Sequence, residues 1–262
     1  MPRIAANLSM LFTEYPFLER FDRAAAAGFR GVEFLFPYEE DAAVIAHRLK
    51  ANDLDLALFN LPAGNWAAGD RGIAAVYERQ QEFRDGVARA VEYARVLRPP
   101  RMNCLAGIAD ETPENDLALL QNVRYAAEQL APLGITLTVE PVNSHDVPGF
   151  ALPTTRAALD LIDEIDLPNV GLQFDVYHAA RMGEDPLATI RELGDRIAHI
   201  QVADAPGRHE PGTGTLDFET LFRAIDESGY DGWVSLEYNP RGRTEEGFGL
   251  LRALGLLQEP AA

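Results

Sequence analysis

The chain has 262 residues, enough for one large core, and its 47% apolar and 24% charged residues exclude wholesale disorder. Its 23 Lys and Arg face 41 Asp and Glu, so a net charge of -18 argues against nucleic acid and anionic membrane surfaces as partners.

In chain order, the start "MPRIAANLSML" has one basic residue and no apolar stretch long enough for a signal peptide. No later segment approaches the ~20 apolar residues of a membrane span, which points to a cytoplasmic protein. The first strand is predicted at "IAANLSM" from Ile4, followed by an amphipathic segment "FLERFDRAAAAG". Then come "GVEFLF" from Gly31 with "DAAVIAHRLKAND", and "LDLALFN" from Leu54 with "ERQQEFRDGVARAVEYARVL". The fourth pair is "RMNCLAG" from Arg101 with "ENDLALLQNVRYAAEQLAPLG"; its Cys104 is the sole cysteine and reads as a small core residue in a reducing compartment. The fifth is "ITLTVEPV" from Ile135 with "TTRAALDLIDEID", and the sixth "VGLQFDVYH" from Val170 with "DPLATIRELGDR". The last two are "IAHIQVAD" from Ile197 with "DFETLFRAIDESG", and "GWVSLEY" from Gly232 with "TEEGFGLLRALG". Several helical segments open on Asp or Thr and close on Gly, the residues of helix caps. Eight strands alternating with eight helices predict a single (β/α)₈ TIM barrel over 1–262; no G-x-G-x-x-G follows the first strand to favour an open doubly wound sheet.

Two connections are long. "NLPAGNWAAGDRGIAAVY", after strand three, carries Trp66 and Arg71, and "DAPGRHEPGTGTLD", after strand seven, carries Arg208, His209 and Glu210. Both follow strands, so both lie on the face where barrels of this kind place their chemistry.

The polar residues closing the strands are Glu140 on strand five, Asp175 and His178 on six, Gln201 and Asp204 on seven, and Glu237 on eight. Each alone is explained as a cap or ion-pair partner. Together, Glu140, Asp175 and Glu237 bring three carboxylates to one mouth with no Lys or Arg within two positions of any of them. A divalent cation is the simplest compensation, and the all-oxygen set Glu140, Asp175, Gln201 and Glu237 suits Mg²⁺ or Mn²⁺. A substrate with adjacent carbonyl and hydroxyl oxygens would complete the coordination, its C–H made acidic, while Glu140 and Glu237 take and deliver protons. That chemistry is aldose–ketose isomerisation or epimerisation beside a carbonyl.

The segments "ANLSMLFTEYPFLERF", "GFRGVEFLFPY", "NLPAGNWAAGDRGIA", "EFRDGVARAVEYA", "EPVNSHDVPGF", "QFDVYHAARM", "HIQVADAPGRHEPGTG" and "GWVSLEY" resemble the hydroxypyruvate isomerase family and its relatives, the 2-oxo-tetronate isomerases. The resemblance runs through nearly the whole chain. It implies a xylose-isomerase-like TIM barrel, a divalent metal on Glu140, Asp175, Gln201 and Glu237, and the Glu140–Glu237 pair as proton carriers. It further implies interconversion of hydroxypyruvate and tartronate semialdehyde. Gln201 stands where related ketose epimerases carry a histidine, and His199 lies two residues deeper. Such substrates carry a carboxylate, for which Arg71, Arg208 and His178 are the candidate clamps, helped by Asn7. His145, Glu210 and Trp66 are further substrate-binding candidates.

Three readings remain open on the residues. The first is a hydroxypyruvate-type isomerase whose partner is a small hydroxy-oxo acid. A 2-oxo-tetronate isomerase or ketose epimerase on the same scaffold is the second. A metal-dependent abasic-site endonuclease is the third; it needs several histidine ligands and a basic groove, which five histidines and a charge of -18 do not offer. Pairing into a homo-oligomer through helices is compatible with the sequence, which assigns no apolar face to it.

Overall fold

Eight short strands close into a parallel barrel in the order in which the chain supplies them. They are β1 (Arg3–Asn7), β2 (Gly31–Phe34), β3 (Asp55–Asn60), β4 (Arg101–Cys104), β5 (Thr136–Val139), β6 (Val170–Asp175), β7 (Ile197–Val202) and β8 (Trp233–Leu236). Around them run α1 (Phe17–Ala26), α2 (Ala42–Ala51), α3 (Gln80–Leu97), α4 (Pro113–Leu130), α5 (Thr155–Ile165), α6 (Val176–Arg181), α7 (Pro186–Leu193), α8 (Phe218–Glu227) and α9 (Gly249–Ala253). The structure, a computed structural model, describes residues 1–257, so the last five of the expected 1–262 domain lie outside the described residues. Closure comes from β1 pairing with β8, where Arg3 stands opposite Trp233 and Ala6 opposite Leu236. Among the described residues no helix is long and apolar enough to cross a membrane.

Several helices start where the sequence places caps. Asp41, Thr112, Thr154, Asp185 and Asp217 each accept a backbone N–H from the first turn of the helix that follows, a contact worth about 1 kcal/mol. Each ring helix then buries one stripe against the sheet, as α8 does with Leu221, Phe222 and Ile225.

Three boundaries differ from the sequence expectation. The first strand stops at Asn7 because its side-chain oxygen accepts from Ser9 N–H at 2.9 Å and its carbonyl from Leu11 N–H at 2.8 Å, turning the chain. The expected sixth strand "VGLQFDVYH" ends at Asp175: its Oδ1 accepts from Tyr177 N–H at 2.8 Å, so the carboxylate caps α6 and the β-branched Val176 enters a helix. The expected last helix is a 3₁₀ turn over Thr244–Phe248 followed by the short α9.

Inside the barrel the floor is Ala5, Ala57 and Trp233. Gly31 is required there, since a Cβ on it would lie 2.6 Å from the Trp233 ring. Above that floor the interior is polar. Thr138, Gln173, His199 and Ser235 are fully buried, and two residues further along the same strands come Glu140, Asp175, Gln201 and Glu237. The period of two in a strand puts each pair on one face, one residue deep and the next at the mouth. Cys104 is buried, and burial pushes its thiol up to about 12, as fits an inert core residue.

Candidate active site

The four residues expected at the strand ends meet at the carboxyl end of the barrel. Asp175 and Gln201 are the last or near-last residues of β6 and β7, while Glu140 and Glu237 each stand one residue past β5 and β8. All four are buried. Asn103 of β4 donates to Glu140 Oε2 at 2.7 Å, and Asn7 of β1 donates to Glu237 Oε2 at 3.1 Å. Burial and the charges of Glu237 and Asp175 push the Glu140 carboxyl well above the usual range. Burial likewise pushes Glu237 up to about 8, with Arg208 opposing and Glu33 and Asp175 adding to the rise.

The sequence shows no cation near these acids, and the structure corrects that. Arg208, 29 positions before Glu237, folds back from the β7 loop and donates to Glu237 Oε1 at 2.7 Å, with Asp175 Oδ2 at 3.6 Å. The loop reaches the mouth because the Asp204 carboxylate gathers the N–H groups of Gly212, Gly214 and Leu216, which gives Asp204 a structural place rather than one in the site. Arg208 itself has φ of 54°, the left-handed region, inside that turn.

Gln201 does not present its oxygen to the mouth. Its Oε1 accepts from Gln173 Nε2 at 2.7 Å, and its Nε2 donates to Glu33 Oε1 at 2.7 Å and to Glu237. The expected role as an oxygen ligand therefore requires its amide to turn over. The orientation is set from below by Glu33 of β2, which accepts from Asn7 at 2.9 Å and faces His199 Nε2 at 2.7 Å. Burial alone would raise the Glu33 carboxyl, but the facing His199 and the hydrogen bonds outweigh it and hold Glu33 below the usual range. His199 is thus the buried partner of Glu33, not a group facing the mouth. Glu33, Asn103 and Gln173 escape the strand-end reading; the signal was a polar residue at an inward position of an otherwise apolar strand, as in "GVEFLF" and "VGLQFD".

His178 sits in the first turns of α6, three residues after Asp175, and its Nε2 lies 3.6 Å from Asp175 Oδ2 and 3.9 Å from Glu140 Oε1. The other ring nitrogen, Nδ1, faces Asn143 Nδ2 at 2.6 Å and the Asn143 backbone N–H at 3.4 Å. The amide cannot turn without loss, because Asn143 Oδ1 accepts from Asp146 N–H at 2.9 Å. Both neighbours are donors, so Nδ1 accepts and the proton sits on Nε2, aimed at the mouth. Burial, reinforced by the Arg208 charge, holds the ring neutral, its pKa well below the usual value.

A cavity of about 320 Å³ opens over these groups, lined by Glu140, His178, Arg208 and Glu237 on one side and Asn60, Trp66 and Arg71 on the other. Asn7 lies beneath it, bonded to both Glu33 and Glu237. Two expected substrate-binding residues fall outside. His145 is exposed in the β5 loop and does not line the cavity. Glu210 is buried but turned away, its Oε1 accepting from Arg241 N–H at 2.9 Å, because it braces the β7 loop on the β8 loop.

The donor set fits a divalent metal ion. Glu140, Asp175 and His178 offer ligand atoms within 4.8 Å of one another, and Asp175 Oδ2 is buried with no hydrogen-bond partner. Because His178 Nε2 carries the proton, carboxylate oxygens are the better donors, and Glu140, Asp175 and Glu237 outnumber the one guanidinium among them. A hard cation suits such a set.

A sequence profile described as xylose isomerase-like TIM barrel matches residues 21–254. The chain is 49% identical over 253 residues to the hydroxypyruvate isomerase of Escherichia coli (strain K12), covering 94% of this chain and 97% of that protein. It is 43% identical over 255 residues to the 2-oxo-tetronate isomerase of Cupriavidus necator, covering 96% and 98%. Among solved structures, a Brucella melitensis protein described as an AP endonuclease, family 2, superposes with a TM-score of 0.94 at 47% identity, covering 97% and 99%. The 3-keto-D-glucoside 4-epimerase from E. coli superposes at 0.79 with 20% identity over 96% of this chain and 100% of that one, a likeness of fold alone.

Proposed function

The chain belongs to the xylose isomerase-like TIM barrel family, and from that premise we propose that it interconverts hydroxypyruvate and tartronate semialdehyde by moving a carbonyl between adjacent carbons. The observation that carries the reading is the pair Glu140 and Glu237, two buried carboxyls whose pKa values are both raised and that line one small cavity. A carboxyl whose pKa is raised by its surroundings is better able both to take and to return a proton.

The chain's own groups then divide the work. Glu237 accepts from Arg208, Asn7 and Gln201, all of which favour its ionised form. It is the better base, taking the proton from the hydroxyl-bearing carbon. Glu140 has a single donor, Asn103, and two neighbouring negative charges that favour its protonated form, so it returns a proton to the adjacent carbon. His178 directs its N–H at the substrate oxygens, between which the hydroxyl proton passes as the carbonyl moves, Arg208 shields the carboxylates from one another, and exchange with solvent then discharges Glu237 and reprotonates Glu140. A divalent ion, Mg²⁺ or Mn²⁺, held by Glu140, Asp175 and Glu237, with Gln201 once its amide turns, would act as a Lewis acid on the substrate carbonyl.

The 43% identity to a 2-oxo-tetronate isomerase supports a second reading, a four-carbon substrate undergoing the same transfer. The endonuclease description of the Brucella relative finds no counterpart here: the mouth is acidic and its cavity lies near the lower end of the roughly 300–1,000 Å³ of small-molecule sites. Proton exchange tests the reading directly. Hydroxypyruvate incubated with the metal-loaded enzyme in deuterium oxide should acquire deuterium at C2 or C3, read by NMR. No exchange with either hydroxypyruvate or 2-oxo-tetronate would refute it.

A further inference from the structure

Arg71 and Arg208 both line the cavity, yet their charges stand in opposite states. Arg208 is already spent on Glu237 at 2.7 Å and Asp175 at 3.6 Å. A substrate carboxylate arriving there would have to displace one of them while meeting Glu140. Arg71 has an acidic neighbour in sequence, Asp70, but that carboxylate is taken: Arg79 NH1 and NH2 hold its two oxygens at 2.9 and 2.8 Å, and Asn65 N–H adds a third bond at 2.6 Å. Arg71 NH1 therefore donates only to two backbone carbonyls, of Asp70 at 2.7 Å and Trp66 at 3.2 Å. Among the described residues no carboxylate pairs with Arg71.

The guanidinium is nonetheless held in place. It lies 4.2 Å over the Trp66 ring, which packs in turn on Phe36 with centroids 5.1 Å apart. Stacking of this kind fixes the plane of the group and leaves its edge for a ligand. The same cavity is lined by Asn60, the last residue of β3, only 2% exposed. Its side-chain Oδ1, an acceptor, is buried without a hydrogen-bond partner. A buried acceptor in that state is costly unless a donor from a ligand completes it.

Resting on the isomerase reading, we propose that Arg71 on its Trp66 platform anchors the substrate's carboxylate, with Asn60 Oδ1 accepting from the substrate's hydroxyl, and that Arg208 does not hold the carboxylate. The anchor makes the site selective for hydroxy-oxo acids over neutral ketoses. It also orients the acid so that its carbonyl end faces Glu140 and Glu237. A bidentate guanidinium–carboxylate pair supplies that orientation, because its two parallel bonds fix direction as well as distance.

The test uses binding and turnover on the full chain. Glycerate, a hydroxy acid without the carbonyl needed to react, is titrated against the fluorescence of Trp66, which is 41% exposed, whereas Trp233 is buried at the far end of the barrel. Glycerate is expected to change the signal of the wild type and glycerol to leave it unchanged. Arg71→Ala should weaken glycerate at least tenfold, Arg71→Lys less, and Asn60→Leu several-fold. On hydroxypyruvate the Arg71→Ala loss should fall on KM rather than kcat. Unaltered glycerate affinity and KM in Arg71→Ala, with binding lost only in Arg208→Ala, would overturn the proposal. Wild-type binding of glycerate without turnover of any acid would instead reject the isomerase reading while leaving the anchor supported.

Discussion

Gly107 and Gly72 touch backbone to backbone: a Cβ on Gly107 would lie 2.1 Å from the Gly72 carbonyl oxygen, and one on Gly72 would lie 2.3 Å from the Leu105 carbonyl oxygen. Both have positive φ, 94° and 110°. With the bridge from Gly72 to Ala106, this contact stitches the loop that carries Trp66 and Arg71 onto the loop after β4. Gly107→Ala should displace that loop, cost roughly 1–3 kcal/mol of stability for the forced backbone, and raise KM more than it lowers kcat. Thermal denaturation and steady-state kinetics on the same preparation check it.

The Glu140–Glu237 pair gives the second expectation. Glu140→Gln and Glu237→Gln should each lower kcat by roughly 10²–10⁴, the usual worth of a positioned acid or base, with circular dichroism unchanged. Glu237→Gln should be the more disruptive to substrate placement, since it replaces the charged 2.7 Å partner of Arg208 by a neutral one. Turnover above a tenth of wild type in both variants would remove the pair from the mechanism.

Metal stripping provides the third. Chelated, dialysed protein should keep its fold and lose turnover, and Mg²⁺ or Mn²⁺ should restore it. Asp175→Asn should bind the ion more weakly by calorimetry, because the unpartnered Oδ2 is the oxygen offered to it. Full activity in the stripped enzyme, confirmed metal-free by elemental analysis, would contradict the proposed Lewis-acid chemistry.

Beneath the site, Glu33 and His199 face each other at 2.7 Å with neither exposed to solvent. Removing one partner leaves the other buried and short of hydrogen bonds, at a cost of roughly 3–5 kcal/mol. Glu33→Gln should therefore lower the urea midpoint strongly. Adding His199→Phe to it should cost less than the sum of the two single changes, which a double-mutant cycle measures.

Much of the fold was legible along the chain because period and punctuation are local. Eight apolar runs with helical segments between them specify a closed parallel barrel, and the carboxylates at the ends of "TLTVE", "LQFD" and "WVSLE" fall on its mouth by the same alternation. The end of β6 misled for an equally local reason: "VYH" has strand-like residues, but Asp175 becomes a helix cap once its neighbours' N–H groups are within reach.

The sequence by itself thus placed the strand-end carboxylates Glu140, Asp175 and Glu237 at the mouth, since a strand's period of two leaves no freedom about its face. Only the tertiary structure decided which charges are spent and which are available. Arg208 finds Glu237 across 29 positions and Glu33 finds His199 across 166, while Arg79 takes Asp70 from the arginine beside it in sequence. Such pairings depend on where loops return after the barrel closes. Coulomb energy falls with distance in space, and distance along the chain does not enter it.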